Sequence, residues 1–396
     1  MADYLDARQT ADRLGVSRQT LYAYVSRGLL KALPADNPRQ SRYLAAAVDE
    51  LAATRRRGRK PREIAKATLD WGMPVLESGL TLIEDGQCYY RGQNAVDLAR
   101  TASLEDIAAL LWQTPKARAF PSRAPMNIKA YAELAARVGT APAAETLLPL
   151  FTVAARDEPT AAWRVDPEML SRGSGDLVRI LAASALRQAP QATPIHQQLA
   201  SFWGADAASA GLIRQALVLC ADHELNASSF TARCIASTGA SLKAVIVGAL
   251  AALSGVKHGA ATTRVETLWN SLDPDNPEKG LHDRLTAGED IPGFGHPLYP
   301  DGDIRATALL SALPPDFREA DRLIEAARDM TGAEPSIDFA LVALRHGLRL
   351  PEGAAFLLFA IGRSVGWIAH ALEQRGTDQL IRPRAIYTGQ RPEIRD

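Results

Sequence analysis

Residues 222–261, DHELNASSFTARCIASTGASLKAVIVGALAALSGVKHGAA, decide how the rest of the chain is interpreted. A nearly uncharged run, residues 240–253, lies inside this stretch, and Lys243 is its only charged residue. The run is too short to cross a bilayer, and its apolar character on almost every face predicts a buried core helix. Gly239 and Gly255 flank the run, as glycines commonly do at the ends of a helix.

Two histidines, His223 and His258, lie near the two ends of this stretch. Residues 227–237 have the pattern of an antiparallel helix before the core helix, so the two helices would form a hairpin that brings both imidazoles close. Gly259 and Ala260 follow His258, and such small residues allow a ligand to approach the backbone. Taken alone, each histidine at a helix end is more often structural than functional.

Later segments place further polar groups in tight turns or among apolar residues. The sequence PGFGHPLY at 292–299 holds His296 between glycine and proline, and Arg305 follows nine residues later. Asp338 lies within the apolar motif SIDF, and Arg363 lies in the apolar helical pattern GRSVGWIAH. Buried charge is costly unless it is paired or used, so these segments predict a functional site.

From about residue 75 to residue 389 the chain resembles citrate synthases. The resemblance rests on separated motifs in the family's order: YRG at 90–92 with DLA at 97–99 and LLW at 110–112, ADHELNAS at 221–228, KHGAA at 257–261, GFGHPLY at 293–299, SIDF at 336–339, GRSVGWIAH at 362–370, and RPR at 382–384 with YTG at 387–389. Each motif alone is weak, but together they are specific to the family. Residues 113–205 carry the weakest likeness, and no function is transferred to them.

The resemblance implies an enzyme that condenses oxaloacetate with acetyl-CoA and then hydrolyses the citryl thioester. The hard step removes a proton from a thioester methyl group, which needs a base and a hydrogen-bond donor at the developing enolate oxygen. By motif match Asp338 is the base and His258 is that donor, which requires a neutral imidazole. His296 matches the group that polarises the oxaloacetate ketone and protonates the alkoxide.

The resemblance also assigns the binding residues. His223 matches an oxaloacetate-binding histidine, and the arginines that would meet substrate carboxylates through their planar forks are Arg305, Arg363 and Arg382. Acetyl-CoA is expected as a co-substrate, with no tightly bound cofactor and no metal, and it would lie along Ile291, Gly293, Phe294 and Gly295. The remaining histidines, namely His196, His282, His346 and His370, are expected to be structural.

Three positions depart from the family pattern. Ala260 replaces the second glycine of HGGA and adds a methyl group to a crowded turn, Pro297 stands where a basic residue is common, and Cys220 stands where many relatives have a histidine. No proposed catalytic group is missing, but a pocket distinguishes one methylene by only about 1–3 kcal/mol. A 2-methylcitrate synthase that uses propionyl-CoA therefore stays an alternative.

The beginning of the chain has a different character. Residues 1–62 contain 13 Lys and Arg against 6 Asp and Glu, whereas the remainder contains 32 against 39, so only the basic part is suited to nucleic acid. Residues 1–54 resemble a winged helix-turn-helix domain of the MerR or excisionase type, with a wing at 30–43. Its second helix would place Arg18, Gln19 and Tyr22 towards the major groove.

That basic domain leaves several functions open. It could bind DNA, or it could serve only packing or dimerisation. A DNA-binding metabolite sensor built on the citrate-synthase fold is a further alternative to an enzyme. Residues 55–66 are interpreted as a basic linker, since residues 55–62 carry six positive charges.

The expected architecture is mainly α-helical. A large citrate-synthase domain would comprise 67–270 and 350–396, and a small one 271–349, with the active site in the cleft between them. A β-hairpin is predicted over residues 81–90 around Glu84, Asp85 and Gly86. The resemblance implies a homodimer. We expect it in the cytoplasm without membrane contact, because we find no signal peptide, no apolar run of membrane-spanning length and no disulfide pattern among three cysteines.

Overall fold

A computed structural model describes residues 4–14, 16, 21, 24–25, 30–34, 41–49, 51, 76–126, 128–139, 141–164, 166–315, 317–385 and 387–390. The chain divides into two compact units, Met1–Glu77 and Ser78–Asp396. The expected division of the larger unit into a large and a small domain stays a prediction.

The N-terminal unit combines a small sheet with helix. Strands β1 (Tyr4–Asp6), β2 (Leu33–Pro34) and β3 (Ser41–Leu44) pair antiparallel in the order β1-β3-β2, and helix α1 (Ala7–Leu14) follows β1. Its core contains Ala11, Leu14, Leu21, Leu30, Tyr43 and Val48. Helix α1 and the pairing of β2 with β3 fit a helix-turn-helix domain with a wing near residues 30–43. Arg18, Gln19, Tyr22 and the linker 55–66 lie outside the described residues.

The larger unit opens with the predicted hairpin. Strands β4 (Thr81–Glu84) and β5 (Gln87–Tyr90) pair antiparallel, and β6 (Gln93–Asn94) pairs with β5. Asp85 and Gly86 connect the first two strands with φ angles of 50° and 71°. Two consecutive positive φ angles are typical of the two-residue turn that an Asp-Gly pair favours.

Helices build most of the described part of the larger unit. They are α2 (Ala95–Thr101), α3 (Leu104–Trp112), α4 (Lys116–Ala119), α5 (Lys129–Val138), α6 (Ala143–Ala154), α7 (Pro167–Leu186), α8 (Ile195–Trp203), α9 (Ala207–Leu219), α10 (Ala227–Ser237), α11 (Leu242–Leu253), α12 (Ala261–Ser271), α13 (Pro277–Thr286), α14 (Ile304–Leu310), α15 (Glu319–Thr331), α16 (Ile337–Gly347) and α17 (Ala354–Thr377). The mainly α-helical class is confirmed.

Helices α10 and α11 form the predicted hairpin. Asn226 caps α10 and Ser241 caps α11, each through a side-chain oxygen that accepts backbone N–H groups of the first turn. The expected core helix is found, since α11 contributes six buried residues to the hydrophobic core, namely Leu242, Val245, Ile246, Ala249, Leu250 and Leu253. One side of α11 is less buried, because Ala251 is exposed and Val247 is half-buried.

Helix α17 is the central helix of the larger unit. It packs against α3, α9, α10, α11 and α16, and its buried residues include Trp367 and Ile368. The expectation that no apolar segment reaches membrane-spanning length is wrong for this helix, which is long and apolar enough by length and composition. Since 94% of its most apolar window is buried inside the protein, α17 has the packing of a core helix.

Candidate active site

His223, His296 and Tyr299 form one cluster in the larger unit. His223 Nε2 lies 3.1 Å from the Tyr299 hydroxyl, and the His223 and His296 rings meet edge to face with their centroids 5.2 Å apart. The Leu298 N–H donates to His296 Nδ1 at 3.2 Å. A neutral His296 must therefore carry its proton on Nε2, where it can serve as a hydrogen-bond donor.

Burial keeps both histidines neutral near pH 7. It lowers the pKa of His296 to about 4, and Arg305 acts in the same direction. Burial also holds the pKa of His223 well below its usual value, with Arg305 and Arg363 contributing. This part of the site therefore offers uncharged imidazoles beside fixed positive charge.

The first of those charges, Arg305, is already paired. Its side chain is 1% exposed, and its Nε and Nη2 donate to the two carboxylate oxygens of Asp303 at 2.9 and 2.7 Å. Asp303 also caps α14 by accepting the Arg305 backbone N–H, and it accepts the Ile337 N–H at 3.1 Å. The Arg305 guanidinium group is therefore held in place, and its Nη1 can still donate to a further acceptor.

The second charge, Arg363, is unpaired. Its side chain is 1% exposed on α17, its Nε donates to the Cys220 carbonyl at 2.7 Å, and its guanidinium carbon lies 4.8 Å from the Phe359 ring centroid. It forms no ion pair with any carboxylate in the described part of the chain. Burial lowers the pKa of Arg363, although Asp222 opposes that shift. A buried arginine without a carboxylate partner is suited to an incoming carboxylate.

His258 follows α11 and lies at the end of the α10–α11 hairpin where α10 begins. Its Nε2 is 2.8 Å from the hydroxyl of Ser228, which also accepts the Trp367 indole N–H at 3.0 Å. The His258 ring meets Phe359 edge to face at 6.2 Å, and Phe359 also contacts Arg363. Burial lowers the pKa of His258 to about 4, with a contribution from Arg363, so this imidazole is neutral as well.

Asp338 lies half-buried in the first turn of α16, one residue after Ile337, which contacts Asp303. Burial raises the pKa of Asp338 to about 6, although Arg305 and Arg363 favour the charged form. A carboxylate with this pKa is mostly ionised at pH 7 and is a stronger base than an exposed aspartate.

The turn predicted for the acyl-CoA runs beside the start of α16. The Gly295 N–H donates to the Glu334 carbonyl and the Ser336 N–H donates to the Gly293 carbonyl, both at 2.8 Å. Phe294 packs on Phe339 with ring centroids 4.9 Å apart, and Ile291 is buried. Gly293 has φ 89°, and a Cβ there would lie 2.7 Å from Val265 Cγ2, so a side chain would not fit at this position.

Arg382 is not brought into this cluster. It is exposed in the extended segment after α17, where the Ile381 N–H donates to Ser237 Oγ at 3.1 Å. Its assignment to a substrate carboxylate stays a prediction.

The three departures from the family pattern fit the local geometry. Ala260 has φ −69°, a conformation open to any residue, whereas a Cβ on Gly259 would lie 2.5 Å from Leu253 Cγ. The Cys220 side chain is buried, and this position meets Arg363 through its carbonyl oxygen. Pro297 is exposed. None of the three disturbs the contacts of the predicted catalytic groups.

Ser228 and Tyr299 contact the predicted histidines directly, although no role was predicted for either from the sequence. Both lie inside quoted motifs, ADHELNAS and GFGHPLY, so their positions were visible. Their contacts join residues far apart in the chain, 30 residues for Ser228 and His258 and 76 for His223 and Tyr299, and only the fold brings those together.

Two family models match the chain. The model described as citrate synthase, C-terminal domain, matches residues 68–384, and the model described as helix-turn-helix domain matches residues 4–56. The citrate synthase of Haloferax volcanii is 30% identical over 370 residues, which cover 81% of this chain and 95% of that protein. The 2-methylcitrate synthase 1 of Corynebacterium glutamicum is 29% identical, covering 77% and 90%.

Solved structures show the same fold. Citrate synthase from Thermotoga maritima has a TM-score of 0.69 at 26% identity, with 82% of this chain and 96% of that chain covered. Citrate synthase from Thermoplasma acidophilum, solved with carboxymethyl coenzyme A and oxaloacetate, has a TM-score of 0.68 at 23% identity and the same coverage.

Proposed function

Since the chain belongs to the citrate synthase family, an acyltransferase family, we propose that it condenses acetyl-CoA with oxaloacetate and releases citrate and CoA. The observation that carries this proposal is a carboxylate with a pKa of about 6, Asp338, in one unit with three histidines held neutral. Deprotonating a weak carbon acid needs such a base together with uncharged hydrogen-bond donors.

Oxaloacetate would bind through its two carboxylates. Arg363 is unpaired and takes one of them, while the free Nη1 of Arg305 and the ring of His223 take the other. The substrate ketone then accepts a hydrogen bond from His296 Nε2, the nitrogen that carries the proton in the neutral ring. This donor polarises the carbonyl carbon towards attack.

The acyl step uses the remaining two groups. The Asp338 carboxylate takes a proton from the thioester methyl, while His258 donates a hydrogen bond to the oxygen that becomes the enolate. The enolate carbon attacks the ketone carbon, and the alkoxide formed takes the proton of His296. Water then adds to the thioester carbonyl and one of its protons restores the neutral His296. The CoA thiolate leaves with the proton held by Asp338, which gives citrate and CoA.

The acyl-CoA is placed along Ile291, Gly293, Phe294 and Gly295, because this turn pairs with the residues just before Asp338. Acetyl-CoA is the proposed acyl donor, supported by the relative with the higher identity and coverage. Propionyl-CoA is the alternative, because a 2-methylcitrate synthase has nearly the same identity. Only the comparison of both donors distinguishes them.

The test is oxaloacetate-dependent CoA release, followed with a thiol reagent, from acetyl-CoA and from propionyl-CoA in parallel. We expect release from both with a higher kcat/KM for acetyl-CoA. A matched reaction without oxaloacetate corrects for the protein's own thiols, since Cys234 is not fully buried. If neither donor releases CoA while oxaloacetate still binds, the chain is a sensor on this fold and the proposal is wrong.

A homodimer in the cytoplasm is part of the same proposal. Arg382 is exposed in the segment after α17, and in the family this arginine motif is sometimes shared across a dimer. A mass corresponding to one chain in solution at assay concentration, with full activity, would contradict this assembly.

DNA binding is a second proposed function, favoured by the helix-turn-helix match at residues 4–56 and by the positive charge of residues 1–62. A dimer would supply two such domains for a palindromic site. A gel-shift experiment with genomic fragments tests it, and binding should weaken as salt rises. Absence of salt-sensitive binding to any fragment would leave the domain a structural element.

A further inference from the structure

Behind the proposed oxaloacetate site lies a buried pair, Asp222 and His370. Both side chains are fully buried, and His370 Nε2 lies 3.2 Å from Asp222 Oδ1. Among the described residues, neither ring nitrogen of His370 makes a regular hydrogen bond, and neither does Asp222 Oδ1. Buried polar groups normally have hydrogen-bond partners, so the place of this close contact in the fold requires a reason.

Asp222 carries the negative charge of the pair. Its other oxygen, Oδ2, accepts the Thr81 hydroxyl at 2.5 Å. Burial alone would raise the pKa of Asp222, but His370, Arg363 and the Thr81 hydroxyl hold it below the usual value. The carboxylate is therefore ionised and is held between strand β4 and helix α17.

The pair joins the two elements that carry His223 and Arg363. Residues 220–223 lie directly on the backbone of α17: the Gly366 N–H donates to the Ala221 carbonyl at 3.0 Å, and Arg363 donates to the Cys220 carbonyl. A Cβ on Gly366 would lie 2.4 Å from Asp222 Oδ1. His370 lies two helical turns after Arg363 on the same helix. Its contact with Asp222 therefore holds residues 220–223 against α17 at a second position along the helix.

We propose that Asp222 and His370 are a positioning pair that sets the placement of His223 relative to Arg363, and through it the affinity for oxaloacetate. The inference rests on the proposed function, which assigns those two residues to oxaloacetate. Asp222 and His370 themselves do not touch substrate. The acyl-CoA turn and Asp338 lie on other elements, so the pair acts on one substrate and not on the other.

Three variants test this inference. His370→Leu removes the ring nitrogens at similar volume, His370→Gln restores an amide N–H that can reach Asp222, and Asp222→Asn keeps the shape but removes the charge. In His370→Leu and Asp222→Asn we expect the KM for oxaloacetate to rise roughly tenfold, equivalent to roughly 1.4 kcal/mol. The kcat and the KM for acyl-CoA at saturating oxaloacetate should stay within about twofold, and His370→Gln should recover most of the loss.

A matched control is His196→Leu, which removes a half-buried histidine on α8 and should leave the KM for oxaloacetate unchanged. Circular dichroism and thermal unfolding establish that each variant is folded, and calorimetry measures oxaloacetate binding without turnover. If His370→Leu does not fold, the test rests on His370→Gln and Asp222→Asn. We then expect the oxaloacetate affinity of His370→Gln to be near that of wild type and the affinity of Asp222→Asn to be lower.

The inference is overturned if folded variants keep wild-type oxaloacetate affinity. It is equally overturned if kcat and both KM values change together in proportion to lost thermal stability, or if Gln is no better than Leu. A different result, a wild-type chain that neither releases CoA nor binds oxaloacetate, would overturn the proposed function from which the inference starts.

Discussion

Replacing Ser228 by alanine tests how His258 is held ready to donate. The Ser228 hydroxyl is fully buried and has three neighbours: His258 Nε2 at 2.8 Å, the Trp367 indole N–H at 3.0 Å and Asn226 Oδ1 at 2.8 Å. Trp367 can only donate, so the single hydroxyl proton goes either to Asn226 or to His258.

These two arrangements have opposite chemical consequences. If Ser228 donates to Asn226, a neutral His258 must donate through Nε2, and Nδ1 then carries a lone pair. If Ser228 donates to His258 Nε2, Nδ1 carries the proton and can donate to the thioester oxygen. Asn226 Oδ1 already accepts the backbone N–H groups of Ser228 and Ser229, both at 3.1 Å, so it does not depend on the hydroxyl. The proposed chemistry therefore requires the second arrangement.

The expected effect of Ser228→Ala follows from these contacts. The variant leaves the buried Trp367 N–H without its acceptor, which costs about 1–3 kcal/mol of unfolding free energy. It also releases His258 from the orientation and the tautomer that catalysis needs. A positioned acid–base group contributes about 10²–10⁴ to the rate, and loss of its orientation should remove part of this, roughly 10- to 100-fold in kcat.

The assay is the kcat of CoA release at saturating substrates, combined with thermal unfolding. Ser229→Ala is the matched control, since Ser229 is also fully buried and accepts the Asn226 amide at 3.0 Å but makes no hydrogen bond with His258. It should lower stability and leave kcat nearly unchanged. Equal kcat in the two variants would refute the argument that Ser228 sets the His258 proton.

Three further outcomes are expected. First, kcat/KM should fall about tenfold per pH unit below pH 6, because the raised pKa of Asp338 means that the base becomes protonated there, and a profile flat from pH 7 to pH 5 would contradict this. Second, Arg363→Leu should raise the KM for oxaloacetate by about 10² or more through loss of the unpaired guanidinium, and unchanged oxaloacetate affinity would refute its role. Third, the free energy of unfolding, measured by denaturant titration, should be about 1–3 kcal/mol lower for Gly293→Ala than for Gly288→Ala. Both glycines have positive φ, but only a Cβ at Gly293 would meet Val265. Equal losses of unfolding free energy in the two variants would contradict this crowding.

The sequence was informative where a local pattern determines a local structure. The hairpin at Asp85 and Gly86 and the helix Ala227–Ser237 follow the prediction, because turn chemistry and capping residues act over a few positions. Residues 177–185 have a helical pattern in the sequence, but the helix found there is longer and extends over Pro167–Leu186. Its first turns contain Gly173 and Gly175, which lower helix propensity but allow the close packing found there.

Contacts between distant segments were not predictable in this way. The motifs named His223, His258 and Asp338, but not how each is held. His370 was expected to be structural, like the other remaining histidines, although it belongs to the motif GRSVGWIAH. Only the packing of residues 220–223 against α17 brings Asp222 to it. The shift of the Asp338 pKa to about 6 likewise depends on burial, which sequence does not measure.

The rate of oxaloacetate-dependent CoA release by Asp338→Asn tests the proposed mechanism most directly. We expect a kcat lower by about 10²–10⁴, because the amide cannot take the methyl proton, while calorimetry should show oxaloacetate binding within a few-fold of wild type. An Asp338→Asn variant that retains more than about a tenth of the wild-type kcat would contradict the assignment of the base, and with it the mechanism proposed for this chain.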